Sequence, residues 1–116
     1  MFVVHNMVLV KACDVAAFPK DGRLGFSARA IEVAIFKVEG TFFALERHCP
    51  HAGGDLVDGM IEKGLVECPI HGATFDLRTG KFVQSEYVSP HLAKAMHDTR
   101  SFPVVIKDGA LLVDIP

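Results

Sequence analysis

The chain is predicted to be all-β, an antiparallel β-sandwich or barrel base carrying a loop-rich lobe and one short helix. Three observations lead there. Short apolar or alternating runs recur between glycine-containing turns, a spacing that suits a sandwich or barrel better than alternating helices and strands. Two of those turns have hairpin composition. Between His48 and Gly80 the chain becomes rich in glycine and unlike the strand-forming segments around it.

Taken in order, strands are expected at Met7–Lys11, Ala30–Val38, Thr41–Leu45, Leu65–Glu67, Phe102–Lys107 and Ala110–Ile115. Glu39-Gly40 separates the second run from the third. Asp108-Gly109 joins the last two as a favoured two-residue turn. The helix is expected at Ser89–His97, where Ser89 is placed to cap free N–H groups and Pro90 is pre-set for the first helical position.

At 116 residues, half of them hydrophobic, the chain has the size and apolar content of one compact domain spanning 1–116. Twelve Lys and Arg against fourteen Asp and Glu give a net charge of −2 with no basic run. Nucleic acid and anionic membrane are therefore not expected partners. His5, Asn6 and Lys11 interrupt the apolar N-terminal residues before a secretory core could form, and no run approaches the roughly 20 apolar residues of a membrane span. A cytoplasmic, soluble protein is expected.

Three cysteines make a secreted disulfide framework a poor explanation and favour a metal or catalytic role for some of them. Cys13 stands apart at the end of an apolar run and reads as a small buried hydrophobe. The other two sit beside histidines. Cys49-Pro50-His51 is followed, after sixteen residues, by Cys68-Pro69-Ile70-His71. Each pair can present a thiolate and an imidazole from one loop, so two loops can close on an inorganic centre from opposite sides. Spacing alone leaves two choices: a structural Cys2His2 zinc site, or a [2Fe–2S] cluster with two Cys on one iron and two His on the other.

The flanking residues add to this. CPHAGGDLVDG, from Cys49 to Gly59, and CPIHGATFDLRTG, from Cys68 to Gly80, resemble the two cluster-binding boxes of Rieske proteins. The likeness extends from roughly Val8 to Val113, since VEGTFFALERHCPH and SFPVVIKDGALLVDI resemble the flanking strands of small Rieske ferredoxins. It is nearest to the ferredoxin components of bacterial aromatic-ring dioxygenase systems. The resemblance implies a Rieske fold with a cluster-binding lobe at about residues 46–80 and one [2Fe–2S] cluster. Cys49 and Cys68 would bind its buried iron, His51 and His71 the outer one.

Respiratory Rieske proteins carry an extra cysteine in each loop and a Ser and a Tyr that hydrogen-bond near the cluster. By motif position this chain has Gly54 and Ile70 for those cysteines, and Ala73 and Phe75 for the Ser and Tyr. Loss of the hydroxyl donors implies a potential near the low end of the Rieske range, about −150 mV. The implied role is a one-electron carrier, not an enzyme. It would pass electrons from an NAD(P)H-dependent ferredoxin reductase to a terminal oxygenase of aromatic hydrocarbon catabolism, docking transiently near His51 and His71 as a monomer. Two alternatives remain: a small Rieske subunit of a nitrite or other reductase, and a zinc-stapled binding module.

The remaining histidines, His5, His48, His91 and His97, are expected in ordinary surface or packing roles. Pro90 is a candidate for the proline that lies near the cluster in small Rieske ferredoxins, and Ser89–His97 otherwise reads as extra surface structure. Glu46, Asp55, Asp58 and Glu62 stand against Arg47, Lys63, Arg78 and Lys81. These charges read as a solvated surface, with partner contact open to those near the tip.

Overall fold

The computed structural model describes residues 8–50, 53–70, 72–85 and 97–116. Within them the chain forms eleven strands in three antiparallel sheets. The only helical turns among the described residues are two short 3-10 turns, Val15–Ala17 and Leu56–Asp58. The helix expected at Ser89–His97 lies almost wholly outside the described residues, as does Pro90.

The central sheet has the order β2 (Arg23–Ala28), β3 (Ile31–Val38), β4 (Thr41–Glu46), β9 (Ser101–Phe102). Its strand β3 is apolar on both faces, because each face packs on a different neighbour. Val33 and Ile35 join Phe102, Leu111, Val113 and Ile115 on one side. Ala34 and Phe36 join Leu45, Leu56, Val66, Phe75 and both Cys49 and Cys68 on the other. A strand buried on both faces reads as a continuous apolar run, as IEVAIFKV does.

Beyond the first face lies a three-stranded sheet, β1 (Leu9–Asp14), β11 (Ala110–Asp114), β10 (Val104–Lys107). Beyond the second lies a four-stranded sheet, β5 (Met60–Glu62), β6 (Leu65–Glu67), β7 (Ala73–Asp76), β8 (Phe82–Ser85). The stretch expected to be loop-rich thus contains three strands of a small sheet, kept short by the two loops it carries.

Both expected hairpins form. Glu39-Gly40 and Asp108-Gly109 hold two consecutive positive φ angles each (51° and 81°, 52° and 77°), as a type I′ turn requires. Two other features depart from expectation. The run Phe102–Lys107 is divided at Pro103, with Phe102 pairing β4 and Val104–Lys107 pairing β11. Proline has no N–H to give a ladder, and its position is where the chain changes sheets. Strand β2 was not expected, because its hairpin to β3 turns on Arg29-Ala30, at φ 51° and 64°, without glycine, Asn or Asp.

That turn holds two L-residues in the left-handed region, where each costs about 1–2 kcal/mol. Ala30→Gly removes one penalty and adds unfolded-state entropy worth about 0.5–1 kcal/mol. The variant is expected to be more stable by up to about 1 kcal/mol, seen as a higher urea midpoint at unchanged slope. A lower midpoint would contradict the strained turn.

Candidate metal centre

Two loops leave the ends of β4 and β6 and adopt one hydrogen-bonding frame. In each, the cysteine N–H donates to the carbonyl five residues on: Cys49 to Gly54 at 2.8 Å, Cys68 to Ala73 at 2.7 Å. In each, the cysteine carbonyl accepts from the N–H four residues on, Gly53 at 2.9 Å and Gly72 at 3.1 Å. Gly53 and Gly72 stand at φ +68° and +66°, a conformation that side chains penalise. The described residues of the two loops therefore share one frame of backbone hydrogen bonds, each headed by a cysteine.

Both cysteines are buried, Cys49 at 3% and Cys68 at 1% exposure, in the core between the central and small sheets. The loops meet at Gly54. A Cβ on Gly54 would stand 2.6 Å from Cys68 Sγ and 3.1 Å from Cγ1 of Ile70, so in this chain the first loop closes against the second thiol with no side chain between them. Positions 54 and 70, which the resemblance aligns with the extra cysteines of respiratory Rieske proteins, thus lie against each other. Pro50, Pro69 and Ile70 are exposed and give the loops an apolar outer rim.

His51 and His71 lie outside the described residues. Of the four sequence-predicted ligands, the structure therefore describes Cys49 and Cys68. Elsewhere among the described residues no group of three or more His, Cys, Asp and Glu side chains is placed to hold a metal ion. The described part of the site fits a cluster in the chemistry of its side chains: two buried thiols on facing loops, with a glycine where a side chain would fill the space beside Sγ.

Ala73 and Phe75 are also buried, at 1% and 0%. Phe75 meets Phe82 edge to face, with ring centroids 6.0 Å apart. Neither side chain can donate a hydrogen bond to the site. Cys13 belongs to neither loop: it is half-buried on β1 against the other core, where burial pushes its thiol pKa up. His48 and His97 are exposed, in keeping with ordinary surface positions, whereas His5 and His91 lie outside the described residues.

The reading of Arg47 and Asp55 as solvated surface charges is corrected. Arg47 Nε lies 3.1 and 3.0 Å from the two Asp55 carboxylate oxygens and Nη2 lies 2.8 Å from Oδ2, with the side chains only 29% and 25% exposed. Asp55 also accepts from Val57 N–H at 2.9 Å, capping the turn Leu56–Asp58. The Arg47 hydrogen bond is the main cause that holds the Asp55 carboxyl below its ordinary pKa, while burial opposes it. From β2, Arg23 Nη1 donates to the carbonyls of Val57 and Gly59 at 2.7 and 2.6 Å. The signal available in sequence was slight: opposite charges two residues before and six after Cys49. Glu46 does behave as an exposed charge, pairing with Arg100 at 2.8 Å.

Residues 8–103 match the Rieske [2Fe–2S] domain family. The chain is 33% identical over 108 residues to the 3-phenylpropionate/cinnamic acid dioxygenase ferredoxin subunit of Photorhabdus laumondii, covering 89% of this chain and 90% of that one. Among solved structures it resembles the ferredoxin of Sphingomonas yanoikuyae B1 (TM-score 0.74, 29% identity, 96% of this chain and 100% of that one). It also resembles a chain in the complex of reduced oxygenase and oxidized ferredoxin of carbazole 1,9a-dioxygenase (TM-score 0.74, 25% identity, 94% of each chain).

The depressed Asp55 pKa carries a sign. A carboxyl whose folded pKa lies below its unfolded value adds stability above the unfolded pKa, and that stability is lost as pH falls through the folded pKa. Asp55→Asn is expected to lower stability at neutral pH by about 1–3 kcal/mol. The gap from native protein should close below about pH 4 in urea titrations. A gap unchanged from neutral to acid pH would contradict the ionised pair.

Proposed function

Because the chain belongs to the Rieske [2Fe–2S] domain family, we propose that it is the ferredoxin of an aromatic-ring-hydroxylating dioxygenase system. It carries one electron at a time from an NAD(P)H-dependent reductase to a terminal oxygenase. It is an electron-transfer component, and the chemistry on the aromatic substrate belongs to the oxygenase. The observation that carries this reading is the pair of like-folded loops, each headed by a buried cysteine, in a chain whose relatives are named as dioxygenase ferredoxins. Family membership also sets aside the zinc-stapled module.

Cys49 and Cys68 would hold the inner iron of one Rieske-type cluster as thiolates, and His51 and His71 the outer iron. When bound, such a cluster supplies a site that gains and loses a single electron. The chain's own residues then do three things. The buried thiols would shield an iron held between them from solvent. Gly54 lets the two loops approach. The exposed Pro50, Pro69 and Ile70 rim, beside the histidines in sequence, offers a small apolar patch for a short-lived encounter with each partner. A likeness to ferredoxin from an oxygenase complex supports the second of those partners. A monomeric, cytoplasmic domain over residues 1–116 suits such a shuttle. No helix among the described residues is long and apolar enough to cross a membrane.

With Ala73 and Phe75 in place of hydroxyl donors, the reduced and more negative state lacks two stabilising hydrogen bonds. A one-electron transition near the low end of the Rieske range, about −150 mV, is expected in a spectroelectrochemical titration. Ala73→Ser is expected to raise it. A native potential several hundred millivolts higher would contradict the donor argument, and a protein with zinc and no labile sulfide would end the electron-carrier reading. His51→Ala and His71→Ala should each abolish the native visible spectrum while His91→Ala leaves it intact.

A further inference from the structure

The two cluster loops are closed by different means. The loop Cys68–Ala73 is the connection between β6 and β7, so the strand pairs Glu67–Thr74, Val66–Phe75 and Leu65–Asp76 hold its two ends together. The loop Cys49–Gly54 has no such ladder. It begins beyond the end of β4 and runs into a single 3-10 turn, with one isolated bridge, His48 to Asp55, across its base.

The Arg47–Asp55 pair spans that base beside the bridge. Its three short N···O contacts join the residue two before Cys49 to the residue directly after Gly54. The main chain follows the same line, since Leu56 N–H donates to the Arg47 carbonyl at 2.8 Å and Arg47 N–H donates to the Glu32 carbonyl at 2.9 Å. Glu32 Oε2 also stands 3.6 Å from Arg47 Nη1.

The neighbouring strand is shaped around this guanidinium. Gly25 lies within β2, where glycine weakens a strand, and a Cβ there would stand 2.6 Å from Arg47 Nη1 and 2.7 Å from Cζ. Two strands from the cluster loop, a glycine leaves open the space that the Arg47 guanidinium occupies. A guanidinium fork that meets a carboxylate through both Nε and Nη2 fixes direction as well as charge.

Resting on the Rieske reading above, we propose that Arg47, Asp55 and Gly25 form a positioning unit that holds the first cluster loop at its working distance from Cys68. They touch no metal. They act through the loop: Asp55 and the guanidinium fix its ends, so the Gly54 backbone stays against Cys68 Sγ and Cys49 keeps one position relative to the second loop. Loss of the unit lets the first loop open, which loosens cluster retention and alters the ligand geometry of the iron centre.

The test uses holoprotein, with Asp55→Asn to remove the charge partner and Gly25→Ala to fill the seat while leaving both charges. Arg47→Lys keeps the charge without the fork, and Arg100→Gln breaks the exposed pair with Glu46 as a control. Cluster release to a chelator is followed by visible absorbance, EPR g-values are taken after reduction, and urea unfolding is recorded alongside. The first three variants are expected to release the cluster at least about tenfold faster than native protein and to show shifted g-values, with Arg100→Gln unchanged. Native release rates in Gly25→Ala and Arg47→Lys would overturn the proposal. So would faster release that merely tracks a lower urea midpoint with native g-values, because that is the mark of a general structural role. If Asp55→Asn does not fold, the two milder variants decide. Native protein without iron and sulfide would instead defeat the Rieske reading itself, a result separable from any outcome in the variants.

Discussion

The site depends on the backbone of Gly54 lying directly against the thiol of Cys68. The two loops arise from different sheets, one from the end of β4 and the other within the β5–β8 sheet, so neither places the other by local geometry. Their meeting is fixed by the core between those sheets, where Leu45, Leu56, Val66 and Phe75 pack with both cysteines. Burial of the thiols and closure of the loops are therefore one event. A Cβ at position 54 would press on the Cys68 thiol and the Ile70 side chain, so one of them would have to shift.

The base of the molecule serves that contact. Strand β3, apolar on both faces, gives the site sheet and the C-terminal sheet one shared wall. Strand β2, at the edge of the central sheet, reaches the turn that follows the first loop through Arg23 and makes room for Arg47 at Gly25. The division of labour is physical. A loop within a hairpin inherits its spacing from a ladder of backbone hydrogen bonds, whereas a loop between sheets needs side chains to hold its ends. The charged residues around Cys49 do that work, and those around Cys68 have less of it to do.

Much of the fold was legible in the sequence, and the misses have particular causes. β6 and the two glycine hairpins were marked by alternation and by Glu39-Gly40 and Asp108-Gly109, because type I′ turns constrain composition. β2 escaped because Arg29-Ala30 makes the same kind of turn without the residues that advertise it. β5, β7 and β8 are three or four residues long, and glycine-rich loops mask their period. Phe102–Lys107 looked like one strand because its apolar pattern continues across Pro103 while its hydrogen bonds change sheets. At the site, the cysteines and their flanking glycines stood out as a repeated motif. Arg47 and Asp55 did not, since charges eight positions apart carry no period and become partners only when the loop between them folds back.

A carrier of this design exposes little chemistry of its own. Its thiols are buried, its glycines shape a cradle, and the rim offered to other proteins is small and apolar, which favours rapid release over tight binding. In the proposed centre one histidine from each loop, His51 and His71, would complete the two buried thiols. Nitrogen hyperfine couplings, recorded on reduced protein containing isotopically labelled histidine, test it most directly. Two histidine nitrogens coupled to the cluster spin, with one lost in His51→Cys and the other in His71→Cys, is the expected result. A reduced centre coupled to no histidine nitrogen, or to only one, would contradict it.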